Sequence, residues 1–247
     1  MSSRLFIDPT RLAEEVVVVS GEDHRYLTRV LRLVVGDALV LFDGIGVEAD
    51  ARIMRIGPRA LELKVEERRP ATAAERPHVT LIQALTKGDK LDLVVQKATE
   101  LGVGRIIPVT SARSVPRLEA MRALGRRARW QKIAREAARQ SGRADVPEVE
   151  PVTAIETAVG AAAKDAFKLM LWEGARGHGL RDALPGGERP KQIVIAIGPE
   201  GGFALDEVEA ARASGFATVG LGPRILRTET AALVTLSILG FALGDLG

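Results

Sequence analysis

The 247-residue chain contains no cysteine, only three histidines and 4% aromatic residues. Without cysteine there is no disulfide, no thiolate nucleophile and no cysteine-ligated zinc, and the chain reads as a cytoplasmic protein. His24, His78 and His178 are far apart in sequence, so no histidine metal site is expected. No charged-then-apolar signal pattern opens the chain. The most apolar late stretch, "AALVTLSILGFALG", is too short to cross a bilayer, so no membrane partner is expected.

Hydrophobic residues make up 46% of the chain, ample for a buried core. The net charge of +3 is unevenly placed: residues 1–72 carry −1, residues 73–150 carry +6 and residues 151–247 carry −2. Within residues 113–143, ten Arg or Lys face two Glu. A basic segment in a balanced chain points to a polyanionic partner.

The first seventy residues read as short strands with one helix. "EVVVVS", "DALVLFDG", "GVEADARIM" and "ALELKVEE" have strand character, the last two with clear alternation. "GEDHRYLTRVLRL" reads as a helix with Tyr26, Leu27, Val30 and Leu31 on one face. This pattern predicts a small barrel over residues 1–72, followed by a linker at about 68–77, "RRPATAAERP". Residues 73–247 change rhythm. "VTLIQAL", "RIIPVT", "FKLMLWE", "QIVIAIG" and "ATVGLG" are strand candidates. Helical spacing links Leu91, Val94, Val95, Ala98 and Leu101, and recurs over residues 126–141 with Trp130, Ile133, Ala134, Ala137 and Ala138 inward. "LDEVEAARASG" and a last helix from about Glu229 complete an α/β pattern with a mostly parallel sheet. The last helix is apolar nearly all round and should be buried.

Three strands end in loops of unusual composition: "LWEGARG", "IGPEGGF" and "LGPRILRTETA". Ligands of parallel α/β sheets bind beyond the carboxyl ends of strands, and glycines there let the backbone approach a ligand. Read singly, such loops are ordinary tight turns; two Gly-Pro pairs beside a helix start favour a site. Neither loop is a phosphate-binding Walker sequence or a dinucleotide fingerprint. Glu200 and Glu229 suit a cationic or hydrogen-bond-donating ligand better than a phosphate.

"IGPEGGF" followed by "LGPRILRTETA" resembles the paired C-terminal motifs of the SPOUT superfamily of methyltransferases. More narrowly, the chain is similar to the small-subunit ribosomal RNA uridine-N3 methyltransferases, the RsmE family. "HRYLTRVLRLVVGD" and "FDG" are similar to that family's N-terminal PUA-like barrel, and "QKATELGV" and "EAARQSGR" to its central segments. The resemblance covers nearly the whole chain. It implies an α/β SPOUT domain with a parallel sheet and trefoil knot over residues 73–247, and a small PUA-like β-barrel that binds RNA over residues 1–72. It also implies S-adenosylmethionine as methyl donor, 16S rRNA as substrate in an assembled or assembling 30S subunit, and a homodimer formed partly by the last helix.

On this resemblance, Leu171, Gly198, Gly202, Leu221, Gly222, Ile225, Leu226 and Thr230 are expected at the cofactor. Arg227 and Glu200 are the candidates for chemistry. Arg227 would hold the anionic base or a phosphate, or else pair with Glu200 or Glu229. Glu200 would fix loop geometry, or contact donor or nucleotide. Arg25 and Arg29 in the barrel, with Lys132, Arg135 and Arg139 on the basic helix, are the expected RNA contacts. A non-enzymatic RNA-binding assembly protein, a methyltransferase acting on tRNA or 23S rRNA, and a nucleotide-binding oxidoreductase are the competing readings.

Overall fold

Alternation along residues 47–70 does what period-two patterning dictates, and in the computed structural model it forms the two longest strands of the first of two units. The structure describes residues 3–71, 76–114, 125–175 and 177–246. The first unit comprises residues 1–73 and 138–146; the second comprises residues 74–137 and 147–247.

In the first unit β1 (Arg4–Phe6), α1 (Pro9–Leu12), β2 (Val16–Ser20) and α2 (Gly21–Arg25) precede β3 (Ala38–Phe42), β4 (Val47–Ile56) and β5 (Ala60–Pro70). The sheet order is β1-β3-β4-β5-β2, antiparallel except for the β1–β3 pair. Among the described residues no pairing joins β1 to β2, so the expected small barrel takes the form of an open half-barrel sheet. Leu5, Leu27, Leu39, Leu41, Ile53, Leu61 and Leu63 fill its concave face.

Two sequence readings need correction here. The helix over "GEDHRYLTRVLRL" is α-helical only to Arg25 and becomes a π turn over Tyr26–Val30, closed by the Leu31 amide on the Tyr26 carbonyl at 3.0 Å. The wider turn changes the angular phase, so Val30 is 67% exposed while Leu27 is buried. The linker reading began too early, because β5 continues to Pro70, paired with Val47; residues 72–75 of that segment lie outside the described residues.

The second unit contains β6 (His78–Ala84), α3 (Lys90–Glu100), β7 (Arg105–Thr110), α4 (Arg127–Ser141), β8 (Glu148–Val149), β9 (Thr153–Ala154) and α5 (Ile155–Gly160). It continues with β10 (Phe167–Leu171), α6 (Leu180–Ala183), β11 (Gln192–Ile197), α7 (Leu205–Ala213), β12 (Ala217–Val219) and α8 (Thr228–Ala242). The last four residues of α4 belong to the first unit. Every strand pairing in the second unit is parallel, in the order β12-β10-β11-β6-β7-β8, with β9 also on β7. Alternate residues of β6, β10 and β11 are buried on both faces, as parallel sheets require. Ile82, Met170, Val194 and Ala196 meet α5 and α7 on one face, while α8 packs on β11 and α3.

The last helix departs from its expected burial. Thr228, Ala232, Thr235, Leu236 and Leu239 are buried, but Phe241 is 73% exposed and Ile238 is also open. One chain supplies cover for one face of this helix, and the opposite apolar face remains exposed. On α4, Trp130, Ala134, Ala137 and Ala138 are buried as expected. The Trp130 indole also donates to Asp92 Oδ1 of α3 at 2.9 Å, and Asp92 takes Arg129 as well. Of the basic segment 113–143, residues 115–124 lie outside the described residues.

Trp130 is therefore both core filler and cross-helix tie. Trp130→Ala is expected to cost about 3–5 kcal/mol. Trp130→Phe should cost only about 1 kcal/mol, because Asp92 keeps Arg129. Urea denaturation measures both; equal losses would show that volume is not what Trp130 contributes.

Candidate active site

Because β10, β11 and β12 run parallel, their carboxyl ends leave the sheet on one edge, and the three glycine-rich loops converge there. They enclose a cavity of about 1060 Å³. Backbone bonds stitch the first loop to the third: Leu180 donates to Gly220 at 2.9 Å, Gly220 to His178 at 2.9 Å, and Trp172 to Val219 at 3.0 Å. The second loop is tied to the helix that follows the third. Thr228 Oγ1 donates to the Gly198 carbonyl at 2.6 Å and accepts from Gln83 Nε2 at 3.0 Å. Gln83 itself, on β6, is fully buried. Behind the second loop, the buried Glu207 carboxylate accepts from the amides of Ala112 and Ala204, each at 2.7 Å.

Leu171, Gly198, Gly202, Leu221, Gly222, Ile225 and Leu226 all line this cavity, as do Glu200 and Arg227. Thr230 does not: it is exposed on the first turn of α8, outside the lining. The hydroxyl that faces inward is that of Thr228, two residues earlier. On a helix, residues two apart point to different faces, which is why the motif alone did not separate them. Ile225 is 93% exposed at the mouth, an apolar side chain set beside an open cavity. Sequence reading missed Lys90, Gln83, Trp172, Glu173, His178 and Thr228. Gln83 and Lys90 come from the β6–α3 segment, remote in sequence, and no local pattern marks them.

Four charges share the rim. Lys90 Nζ lies 2.8 Å from Glu200 Oε1 and 3.7 Å from Glu229 Oε2. The Glu200 hydrogen bond raises the Lys90 ammonium above the ordinary lysine range, overcoming burial and, with the Glu200 and Glu229 charges, the opposing Arg227 charge. Burial is the largest single influence on Glu200 and would raise it. Hydrogen bonds from Lys90 and from the backbone at Glu200 and Lys87 together prevail and hold its carboxyl below the ordinary range. Both groups are thus ionised at neutral pH. Glu200 ties the loop after β11 to the segment after β6.

Arg227 is the N-cap residue of α8, yet its side chain makes no capping bond. A guanidinium has no acceptor with which to cap. Among the described residues it forms no ion pair with Glu200 or Glu229, which both face Lys90. The alternative that Arg227 pairs with one of these carboxylates does not describe this arrangement.

Arg25 and Arg29 are exposed on α2 and its π turn. Lys132 and Arg135 are exposed on α4, and Arg139 stacks its guanidinium 4.0 Å from the centre of the Tyr26 ring. Among the described residues no group of acidic and histidine side chains is arranged to hold a metal ion.

A parallel α/β sheet with a glycine-walled pocket at one edge, in a chain that also carries a half-barrel sheet, is the arrangement of an RNA methyltransferase with a PUA domain. The RNA methyltransferase domain family matches residues 74–240, and the RNA methyltransferase PUA domain family matches residues 19–66. The chain is 34% identical over 248 residues to the ribosomal RNA small subunit methyltransferase E of Bacillus subtilis, covering 96% of each. It is 34% identical to the Mycobacterium bovis protein of the same name, covering 95% of this chain and 90% of that one. A crystal structure of that methyltransferase from Neisseria gonorrhoeae, bound to S-adenosyl methionine, superimposes with TM-score 0.85 at 32% identity over 98% of both chains. A Legionella pneumophila methyltransferase solved with the cofactor SAM gives 0.84 at 30% identity, again over 98% of both. The chain belongs to the ribosomal RNA small subunit methyltransferase E family.

Gly202 has φ +68, and a Cβ there would collide with the Glu173 carboxylate. The carboxylate can swing aside; the left-handed backbone cannot relax. Gly202→Ala should lower stability by about 1–2 kcal/mol. Gly187→Ala, with open space around it, should stay within about 0.5 kcal/mol of wild type. Thermal melts that fail to separate the two would remove the conformational argument.

Proposed function

We propose that the protein transfers a methyl group from S-adenosylmethionine to N3 of a uridine in 16S rRNA, in an assembled or assembling 30S subunit of the cytoplasm. The carrying observation is the pocket itself: three strand-end loops around an apolar floor, with an arginine on the rim that forms no ion pair among the described residues. The pocket suits the cofactor. A Cβ at Gly222 would have nothing within 4 Å of it, so the backbone there borders open space a ligand can fill. Leu171, Leu221, Ile225 and Leu226 offer apolar surface for an adenine, and the backbone of Gly198, Gly202 and Gly222 offers groups to read its edge. When bound, S-adenosylmethionine supplies an electrophilic methyl group.

The remaining work falls to the chain. Uridine N3 becomes a nucleophile only as its proton leaves, and negative charge then spreads to the uracil oxygens. Arg227 would bear that charge with two directed hydrogen bonds. Glu200, held by Lys90 and backbone amides, shapes the loop rather than taking part in the transfer. The main contribution of the enclosure is alignment of the two reactants.

Two surfaces carry the RNA. Arg25 and Arg29 at the α2 helix and its π turn, and Lys132, Arg135 and Arg139 on α4, would meet phosphates. The exposed apolar face of α8 supports an isologous homodimer, which covers Ile238 and Phe241 as one chain cannot. The family reading also carries a trefoil knot, with α8 threaded through an earlier loop.

The test is methylation of 30S subunits from a strain lacking the gene, with labelled donor and nucleoside mass spectrometry. The expected product is 3-methyluridine in 16S rRNA; label in another nucleoside, or in tRNA or 23S rRNA alone, contradicts the proposal. Arg227→Ala should bind the donor normally and lose about a hundredfold in single-turnover rate, as when one charge-stabilising donor is removed. Donor affinity falling as far as the rate would make Arg227 a pocket residue.

A further inference from the structure

The rim of the pocket holds two cations and two carboxylates, and their pairing is not the one that side-chain chemistry favours. A guanidinium matches a carboxylate with a two-pronged fork and is the stronger partner. Yet Glu200 and Glu229 both face Lys90, at 2.8 and 3.7 Å, and Arg227 pairs with neither. All four groups belong to one neighbourhood. Glu200 and Arg227 line the same cavity, Glu229 is two residues beyond Arg227, and the Arg227 charge is felt at Lys90. Glu229 Oε2 is buried with no hydrogen-bond partner among the described residues, so Lys90 is its only compensating charge there.

We propose that Lys90 is a positioning residue: it occupies Glu200 and Glu229 and thereby keeps the Arg227 guanidinium available to the anionic substrate. The inference rests on the reading of Arg227 as a substrate contact. An ammonium suits this task. Its compact head has three donors that rotate freely, so it can face two carboxylates at once, where a planar fork commits to one. The arithmetic of charge points the same way. With Lys90 present, the rim is neutral, two cations against two carboxylates, and both carboxylates face the ammonium and not Arg227. Without it, two carboxylates flank one guanidinium and the rim becomes net negative, which would repel RNA phosphate and the uracil anion alike.

Suppression tests this. Donor affinity and single-turnover methylation of 30S subunits would be measured for wild type, Arg227→Ala, Lys90→Met, Lys90→Arg and the triple variant Lys90→Met with Glu200→Gln and Glu229→Gln. Lys90→Met should keep donor affinity and lose about tenfold to a hundredfold in rate, approaching Arg227→Ala. Lys90→Arg, which keeps a cation for the carboxylates, should retain more of the rate. The triple variant should recover most of the loss, since removing the carboxylates frees the guanidinium again. A fold that depended on these ion pairs would be damaged further by the added changes, so recovery reports the arginine and not the fold. Wild-type rate in Lys90→Met beside a slow Arg227→Ala overturns the role of Lys90 and leaves that of Arg227 standing. A slow Lys90→Met that the two glutamines do not restore also overturns it. Wild-type rate in Arg227→Ala removes the reading on which the inference rests.

Discussion

One hydroxyl joins the parts of the pocket. Thr228 stands at the first turn of α8, donates to the carbonyl of Gly198 and accepts from the buried amide of Gln83. Three segments distant in sequence thus share one short hydrogen-bonded chain: the end of β6, the loop after β11 and the start of the last helix. A buried polar chain of this kind has a single good arrangement, because each member left unpaired costs about 1–3 kcal/mol. It fixes where α8 begins. The start of α8 in turn fixes where Leu226 and Arg227 lie against the glycine loop. The parallel register of β10, β11 and β12 brings the loops to one edge; Thr228 sets their spacing.

Charge on the rim follows from that spacing. With α8 placed, Glu229 and Arg227 flank its first turn, and Lys90 at the start of α3 reaches both Glu229 and Glu200. The carboxylate in the middle of "GPEGG" is therefore a strut. It takes an ammonium on one side and backbone amides on the other, and holds a loop whose glycines would otherwise leave it loose. The glycines and the glutamate do opposite jobs in the same turn: Gly202 adopts a left-handed conformation, and Glu200 fixes what results.

Much of this was legible in the sequence, for identifiable reasons. Period-two alternation marked β4 and β5, and helical spacing marked α3 and α4, because burial of one face imposes the period directly. Gly-Pro pairs after apolar runs marked the second and third loops, so seven of the eight expected cofactor positions line the cavity. Thr230 lies outside the lining and Thr228 within it, because the helix phase depends on where the cap falls, and Arg227 is an unusual cap. Val30 was placed inward because a π turn leaves no local signature in "YLTRV". The side of α8 that one chain leaves exposed was not legible, because composition records that a surface is apolar, not which neighbour covers it. Lys90 and Gln83 were invisible because their partners lie 110 and 145 residues away.

The central claim, that the Thr228 bridge sets the loop after β11 against the start of α8 and so shapes the pocket, is tested most directly by calorimetric titration of S-adenosylmethionine into Thr228→Val. Valine keeps the shape and removes only the hydroxyl. The account predicts a folded protein whose affinity for the donor falls about tenfold or more, the equivalent of one lost buried hydrogen bond. Wild-type affinity in the folded variant would contradict it.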